Sequence, residues 1–97
     1  MLRITRVAES PSHVTLKLEG RIVSDWVSVL ERECLTWLQE TRQVILEVAE
    51  VTFIDRSGLE MLRRIISPQL QIINASALIE ELLQRGQGQG KVPEERA

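Results

Sequence analysis

The run from Val51 to Leu59 constrains the fold of this chain more than any other part of the sequence. It reads Val-Thr-Phe-Ile-Asp-Arg-Ser-Gly-Leu, a mostly apolar segment that ends abruptly at Asp55. A helical spacing of apolar residues follows at once, at Leu59, Leu62, Ile65 and Ile66. The run therefore predicts a strand that enters a helix with almost no loop.

The polar residues of that junction suit a tight turn at a helix start. Asp55 can cap free backbone N–H groups with its carboxylate. Ser57 lies in or beside the first helical turn, where the helix dipole favours negative charge. Gly58 allows the chain to turn or to approach another backbone closely. An exposed hydroxyl in this position can carry a phosphate or contact a partner, so the junction is the first candidate for a functional site.

Upstream of the junction, the apolar spacing predicts two strands and one helix. Residues 2–7 and Val14–Glu19 alternate between apolar and polar side chains, which predicts an antiparallel pair joined by a turn at residues 9–12. Gly20 is expected to break the second strand. Ser24 is the predicted N-cap of an amphipathic helix of about four turns. The apolar stripe of that helix contains Val27, Leu30, Cys34, Trp37 and Leu38.

Two segments, Gln43–Glu47 and Leu70–Ile73, contain consecutive apolar residues, and the sheet is predicted to centre on them. The continuous run in the first is typical of a strand buried on both faces. The helix between the two segments is predicted to turn Arg56, Glu60, Arg63 and Arg64 outward. Within that set, Glu60 and Arg64 have the i,i+4 spacing of an ion pair. Ser67-Pro68 is predicted to end this helix.

The predicted elements follow the order β-β-α-β-α-β-α, with Ser76 as the cap of the last helix. This order predicts an α/β fold, a four-stranded mixed sheet with helices mainly on one face and right-handed crossovers. The domain is predicted to span residues 1–85. Residues 86–97 are rich in glycine and polar side chains, have almost nothing to bury, and are predicted to form a disordered tail.

Composition argues against several kinds of partner. The formal net charge of −2 leaves no basic footprint of the kind that nucleic acids require. No apolar run is long enough to span a bilayer, and the N-terminus lacks the core of a signal peptide. Neither a nucleic-acid partner nor direct membrane insertion is therefore expected. The lone Cys34 cannot form an internal disulfide, which suits a cytoplasmic location.

The side chains that could perform chemistry do not form a catalytic set. His13 and Cys34 are far apart in the sequence and lack the companions of a zinc site or a nucleophilic triad. The acids of the first helix, Glu31, Glu33 and Glu40, are spread around it and suit a solvated face. Gly86–Gly90 lies in a polar tail, the wrong context for a phosphate-binding loop. The chain is therefore expected to be no enzyme and to use no metal or cofactor.

The junction resembles the signature of the STAS domain, the fold of bacterial anti-sigma factor antagonists. That signature reads roughly V-x-[FY]-[IM]-D-[ST]-[ST]-G-L, and the residues that match it are Val51, Phe53, Ile54, Asp55, Ser57, Gly58 and Leu59. Leu18–Ile22 and Ile72–Ser76 resemble two further parts of the family. The similarity implies a STAS-like fold over residues 1–85, truncated at the C-terminus, because the family usually continues into a further strand and helix. In the family the phosphorylated hydroxyl directly follows the Asp, and here that position is Arg56.

The resemblance implies a regulatory module that binds an anti-sigma factor or switch kinase through the start of the second helix. The partner-binding residues it implies are Asp55, Arg56, Ser57, Gly58 and Glu60. Because Arg56 replaces the phosphate acceptor, either the switch is lost and binding is constitutive, or phosphorylation has moved to Ser57. The alternative function is a non-enzymatic STAS subunit of a larger assembly, such as a lipid-transport ATPase or a signalling scaffold. There the same surface would dock a fixed partner.

Overall fold

The computed structural model describes residues 1–41 and 43–89. Its seven elements, in chain order, are β1 (Leu2–Glu9), β2 (His13–Ile22), α1 (Asp25–Glu40), β3 (Gln43–Ile54), α2 (Arg56–Ile65), β4 (Leu70–Ile73) and α3 (Ala77–Gln89). This order confirms the predicted alternation of strands and helices. The strand–helix junction predicted at Asp55 is also confirmed, because a single residue separates β3 from α2.

The four strands form one mixed sheet in the order β1-β2-β3-β4. β1 and β2 are antiparallel, whereas β2, β3 and β4 run parallel to one another. The mixed sheet is as predicted, but the expectation that it centres on Leu70–Ile73 is wrong. β4 pairs with β3 alone among the described strands, so β2 and β3 are central and β4 lies at an edge.

The burial pattern of β3 also differs from the prediction of a strand buried on both faces. Val44, Leu46 and Val48 are buried, whereas Ile45 and Glu47 between them are half-buried. The alternation follows from a sheet whose helices pack on one face, since successive strand residues point to opposite faces. The core joins alternate strand residues to apolar residues of the three helices, among them Leu30, Cys34, Met61, Leu62 and Ile79.

Gly20 does not end β2, which continues to Ile22. It has a positive φ of 106° and lies at a shift in the register between β2 and β3. A Cβ atom at this position would collide with the carbonyl oxygen of Met1, which accepts a hydrogen bond from the Arg21 N–H at 2.9 Å. The glycine thus marks an irregularity that the strand passes through, a common role of glycine within strands.

The outward face of α2 forms different ion pairs from the one predicted. Arg64 donates from Nη2 to Glu31 Oε2 of α1 at 2.9 Å, so the predicted pair between Glu60 and Arg64 is wrong. Glu60 is instead 3.5 Å from Arg56 Nε. Helix α1 packs beside α2, which brings a carboxylate from another element within reach of Arg64. Ile66, expected to face inward, is 39% exposed because the helix has already ended before it.

The start of α3 matches the sequence prediction, and its end differs. The Ile79 N–H donates to Ser76 Oγ at 3.2 Å, which confirms the predicted cap. The backbone of α3 continues to Gln89, so the predicted start of a tail at Gly86 lies inside the helix. The rest of that predicted tail, residues 90–97, lies outside the described residues. Within the described ranges no helix is long and apolar enough to cross a membrane.

Candidate functional site

Two strand-to-helix junctions lie next to each other at one end of the sheet. β2 and β3 are parallel neighbours, and Ile22 and Ile54 are paired at their ends. Each strand leads directly into a helix, α1 after β2 and α2 after β3. The Asp55 N–H donates to the Ile22 carbonyl oxygen at 3.1 Å, which joins the two junctions through the backbone. The parallel pairing therefore brings together loops that are far apart in the sequence.

The Asp55 carboxylate binds both junctions. Its Oδ1 accepts from the Gly58 N–H at 2.8 Å and from the Ser57 hydroxyl at 2.9 Å. Its Oδ2 accepts from the Ser24 N–H at 2.9 Å, across 31 residues of sequence. The bond to Gly58 confirms the predicted helix cap. The bond to Ser24 was not predicted, because no local pattern brings that amide to Asp55.

These hydrogen bonds lower the pKa of Asp55 below its ordinary value of 3.8. The bond from the Ser24 N–H contributes most, and the bonds from Gly58 and Ser57 act in the same direction. Burial opposes them only in part. Donors that bind a carboxylate stabilise its charged form. Asp55 is thus a carboxylate at neutral pH, and it is an acceptor on both oxygens.

Ser24 does not have the role that the sequence predicts. It occupies the N-cap position of α1, but its side chain makes no capping hydrogen bond. Its backbone has φ 54° and ψ −128°, and the Trp26 N–H donates to the Val23 carbonyl oxygen at 3.0 Å. This is the geometry of a type II′ turn, whose second residue is usually glycine because φ is positive. A non-glycine residue there costs about 1–3 kcal/mol. The turn before α1 is therefore strained.

Gly58 is buried and serves the packing of α2. A Cβ atom at this position would lie 2.7 Å from Ile54 Cγ2 and 2.9 Å from the Ile22 carbonyl oxygen. The missing side chain is what allows the first turn of α2 to lie against the ends of β2 and β3. The close approach predicted from the sequence is confirmed. Gly58 is also one of the predicted partner-binding residues; it is buried, and its contact with a partner stays a prediction.

The exposed part of the junction consists of Arg56, Ser57 and Glu60. The Arg56 side chain is 89% exposed, and its ion pair with Glu60 is long and solvated, worth only a few tenths of a kcal/mol, about 0.3. Phe53 is 41% exposed just before the junction. The Arg21 guanidinium lies 5.9 Å from the centre of its ring. Phe53 and Arg21 were not predicted as surface residues, although alternation along β3 places Phe53 opposite its buried neighbour Ile54.

The other groups with chemical potential lie apart from Asp55. His13, the first residue of β2, has its Nδ1 3.2 Å from Ser10 Oγ and 3.3 Å from Ser12 Oγ of the preceding turn. Cys34 is buried in α1, and burial raises the pKa of its thiol to about 12, which leaves it protonated and unreactive. In residues 1–41 and 43–89, no group of three or more His, Cys, Asp or Glu could hold a metal ion.

The fold and this junction define a small α/β domain whose polar surface lies at the start of a helix. The sequence model of the STAS domain matches residues 5–85, and the chain therefore belongs to the STAS domain family.

Two solved structures show the same fold. The anti-sigma factor antagonist SpoIIAA in its unphosphorylated form superposes with a TM-score of 0.69 at 16% identity, covering 88% of this chain and 81% of that one. The STAS domain of an antisigma-factor antagonist from Rhodobacter sphaeroides gives a TM-score of 0.58 at 16% identity, covering 80% and 95%. Such low identity supports a shared fold alone. A comparison with curated proteins found no match.

Proposed function

We propose that this protein is a non-enzymatic regulatory module that binds a protein partner through the start of α2, as an anti-sigma factor antagonist does. The partner class is an anti-sigma factor or a switch kinase, and the location is the cytoplasm. Membership of the STAS family and the fold of the two antagonists support a role in protein interaction. The observation that carries the proposal for this surface is the exposed cation of Arg56 beside a fixed helix start.

Binding does not depend on phosphate at this surface. In the family that the junction resembles, the residue after the Asp accepts the phosphate, and arginine cannot do so. Phosphorylation adds about −1.5 to −2 charges at neutral pH, whereas Arg56 supplies a permanent positive charge. Ser57 donates its hydroxyl to Asp55 Oδ1. A phosphate on Ser57 would replace that donor with negative charge next to a carboxylate. We therefore expect constitutive docking without a phosphate switch.

Arg56 also favours a second candidate function. A surface without a switch suits a fixed subunit of a larger assembly, such as a lipid-transport ATPase or a signalling scaffold. In such an assembly α2 would hold its partner permanently, with no cycle of release. The two functions use the same residues and differ in the partner that contacts them.

Crosslinking from a defined position identifies the partner and tests the surface together. A photoreactive amino acid at Arg56 should crosslink to one protein in cells that produce this chain. The matched control is the same amino acid at Gln39, an exposed residue at the other end of α1. A soluble ATP-binding protein of the kinase type supports the antagonist function, and a membrane ATPase supports the second function. Equal crosslinking from both positions would contradict a docking surface at α2.

A charge reversal measures how much Arg56 contributes to binding. With the partner captured at position 56, Arg56→Glu should weaken the affinity at least tenfold, because it places an unmatched charge in the interface. The melting temperature should hardly change, since an acid at a helix start is favourable by about 0.3–1 kcal/mol. Arg32→Glu, the same change at an exposed position of α1, serves as the control and should leave the affinity unchanged. Unchanged affinity for Arg56→Glu would make Arg56 a solvated surface residue.

Intact-mass measurement tests the missing phosphate switch. If the captured partner is a kinase, incubation of this chain with that partner and ATP should add no phosphate. Stoichiometric phosphate at Ser57 would instead show that the switch has moved by one residue, from position 56 to Ser57.

A further inference from the structure

The turn between β2 and α1 depends on a residue from outside its own segment. Ser24 has a backbone conformation that favours glycine, and its hydroxyl makes no bond that would cap α1. The Trp26 N–H to Val23 bond reverses the chain, but a local bond of this kind forms in several types of turn. The contact that reaches Ser24 from elsewhere is the bond from its N–H to Asp55 Oδ2.

We propose that Asp55 is a positioning residue for docking, which holds the β2–α1 turn (Val23–Asp25) beside the start of α2 so that the partner contacts both segments. This inference rests on the proposed function, and it extends the docking surface to a second loop. Ser24 and Asp25 are exposed, so the turn can contact a partner. Asp55 itself directs both carboxylate oxygens to backbone and side-chain donors of the protein, and its effect on a partner is therefore indirect.

The two oxygens of Asp55 have separate tasks. Oδ1 binds the donors of α2, and Oδ2 binds the Ser24 amide of the other junction. Without Oδ2 as an acceptor, the Ser24 N–H loses this partner, and the unfavourable backbone angle is opposed by local bonds alone, from the Trp26 N–H to the Val23 carbonyl oxygen and from the Val27 N–H to the Ser24 carbonyl oxygen. We expect the turn to relax toward a conformation with negative φ, which moves it away from α2. The α2 segment would remain in place because its cap and the packing at Gly58 are unaffected.

The substitution Asp55→Asn separates these tasks. Asparagine is as good an N-cap as aspartate, so its amide oxygen can still accept from the Gly58 N–H. Its NH₂ group then faces the Ser24 N–H, donor against donor. Affinity for the partner captured at position 56 should fall at least threefold. The double variant Ser24→Gly/Asp55→Asn should bind more tightly than Asp55→Asn, because glycine adopts the positive φ without help even though its N–H still faces the Asn NH₂ group.

The amide protons of Ser24 and Gly58 provide a readout that needs no partner. Both donate to one carboxylate, so in NMR spectra of the wild type both resonances should shift with the same apparent pKa. In Asp55→Asn the titration of both should vanish, and the Ser24 resonance should move more than that of Gly58. This pattern would show that one carboxylate joins the two junctions, whatever the partner is.

Five outcomes decide between the explanations. Loss of affinity with rescue by Ser24→Gly supports the inference, whereas loss without rescue overturns it, because the role of Asp55 would then be general stability. If the Ser24 amide resonance does not titrate together with that of Gly58, the inference is overturned, because Asp55 would not bind both amides. If Arg56→Glu weakens binding and Asp55→Asn does not, the partner docks at the start of α2, and the inference that it also contacts the β2–α1 turn is overturned. If neither variant weakens binding, the proposed function itself fails.

Discussion

The two strand-to-helix junctions of this protein lie side by side and are stabilised in different ways. At the β3–α2 junction, Asp55 caps its own helix through the Gly58 N–H, three residues ahead. At the β2–α1 junction, Ser24 occupies the corresponding position and makes no side-chain cap. The N–H of Ser24 is bound by the carboxylate of the first junction. One junction is thus stabilised by its own residues, and the other is stabilised by its neighbour.

The two junctions also differ in which of them contains a glycine. The β3–α2 junction has a glycine, Gly58, where a Cβ atom would collide with β2 and β3. The β2–α1 junction has a serine where the positive φ favours a glycine. The β3–α2 junction therefore has no side chain at Gly58, where there is no room for one. The β2–α1 junction has a side chain at Ser24, where the positive φ makes it unfavourable. The comparison indicates that the β2–α1 turn is the less stable of the two, and the following variants test that ranking.

The largest change in the free energy of unfolding should come from a substitution in the core beneath both junctions, and the effects of the junction variants can be compared with it. Leu46 is fully buried in the central strand β3, so Leu46→Ala should lower the free energy of unfolding by about 2–5 kcal/mol in urea titrations. Ile45→Ala, on the half-buried face of the same strand, is the control and should cost less. A cost below about 1 kcal/mol for Leu46→Ala would contradict its place in the core, where Leu→Ala changes cost several times more.

The next effect concerns the packed junction. Gly58→Ala brings a methyl group against Ile54 and the Ile22 carbonyl oxygen, and overpacking of this kind costs about 1–3 kcal/mol. Alanine recovers up to about 1 kcal/mol of helix propensity. We therefore expect a net loss of about 1–2 kcal/mol in unfolding free energy, measured in urea. A stabilised Gly58→Ala variant would show that α2 can move away from β2 without cost.

The strained junction should respond in the opposite direction. Ser24→Gly removes a strain of about 1–3 kcal/mol and adds about 0.4–1 kcal/mol of chain entropy in the unfolded state. The net expectation is a gain of about 1 kcal/mol in unfolding free energy. Ser28→Gly, at an exposed position inside α1, is the control and should destabilise the protein. Destabilisation by Ser24→Gly would mean that the turn is not strained.

The smallest effect is a pH dependence that belongs to Asp55. Its pKa is lower in the folded state than in the unfolded state, so its stabilisation is fully present above the ordinary value of 3.8. That stabilisation is lost as the pH falls through the lower, folded pKa. The stability difference between the wild type and Asp55→Asn should therefore narrow in acid, as measured by urea midpoints at successive pH values. If the stability difference between the wild type and Asp55→Asn stays constant with pH, ionisation of Asp55 does not contribute to the pH dependence of stability.

Local patterns in the sequence predict much of this fold and part of its site. The alternation of apolar residues indicates the order of strands and helices, because the periods of two and 3.6 are set by the backbone. The Asp55 and Ser76 caps were predicted because a cap needs only the next few residues. The pairing of Arg64 with Glu31 was missed because the sequence spacing within α2 offered Glu60, whereas packing brought α1 closer.

The edge position of β4 illustrates a second limit. Consecutive apolar residues in Leu70–Ile73 indicated burial and suggested a central strand. Leu70 is indeed buried, but Ile73 is 38% exposed. The apolar side chains of a strand indicate which faces of the sheet are buried. The number of neighbouring strands depends instead on the backbone hydrogen bonds, which the side-chain pattern does not show. Apolar pattern alone cannot distinguish a short, covered edge strand from a central one.

The STAS-like order of elements, the abrupt entry into α2 and the Asp55 cap could be predicted from the sequence, since each depends on residues that are neighbours along the chain. The partner of the second oxygen of Asp55 depends instead on how the strands pair. Parallel pairing of β2 with β3 brings the Ser24 amide within 2.9 Å of Asp55 Oδ2 across 31 residues. In the same β2–α1 turn Ser24, a good cap by sequence, has a positive φ and makes no side-chain cap. The bond between Ser24 and Asp55 depends on the register of two strands, which local propensity does not specify.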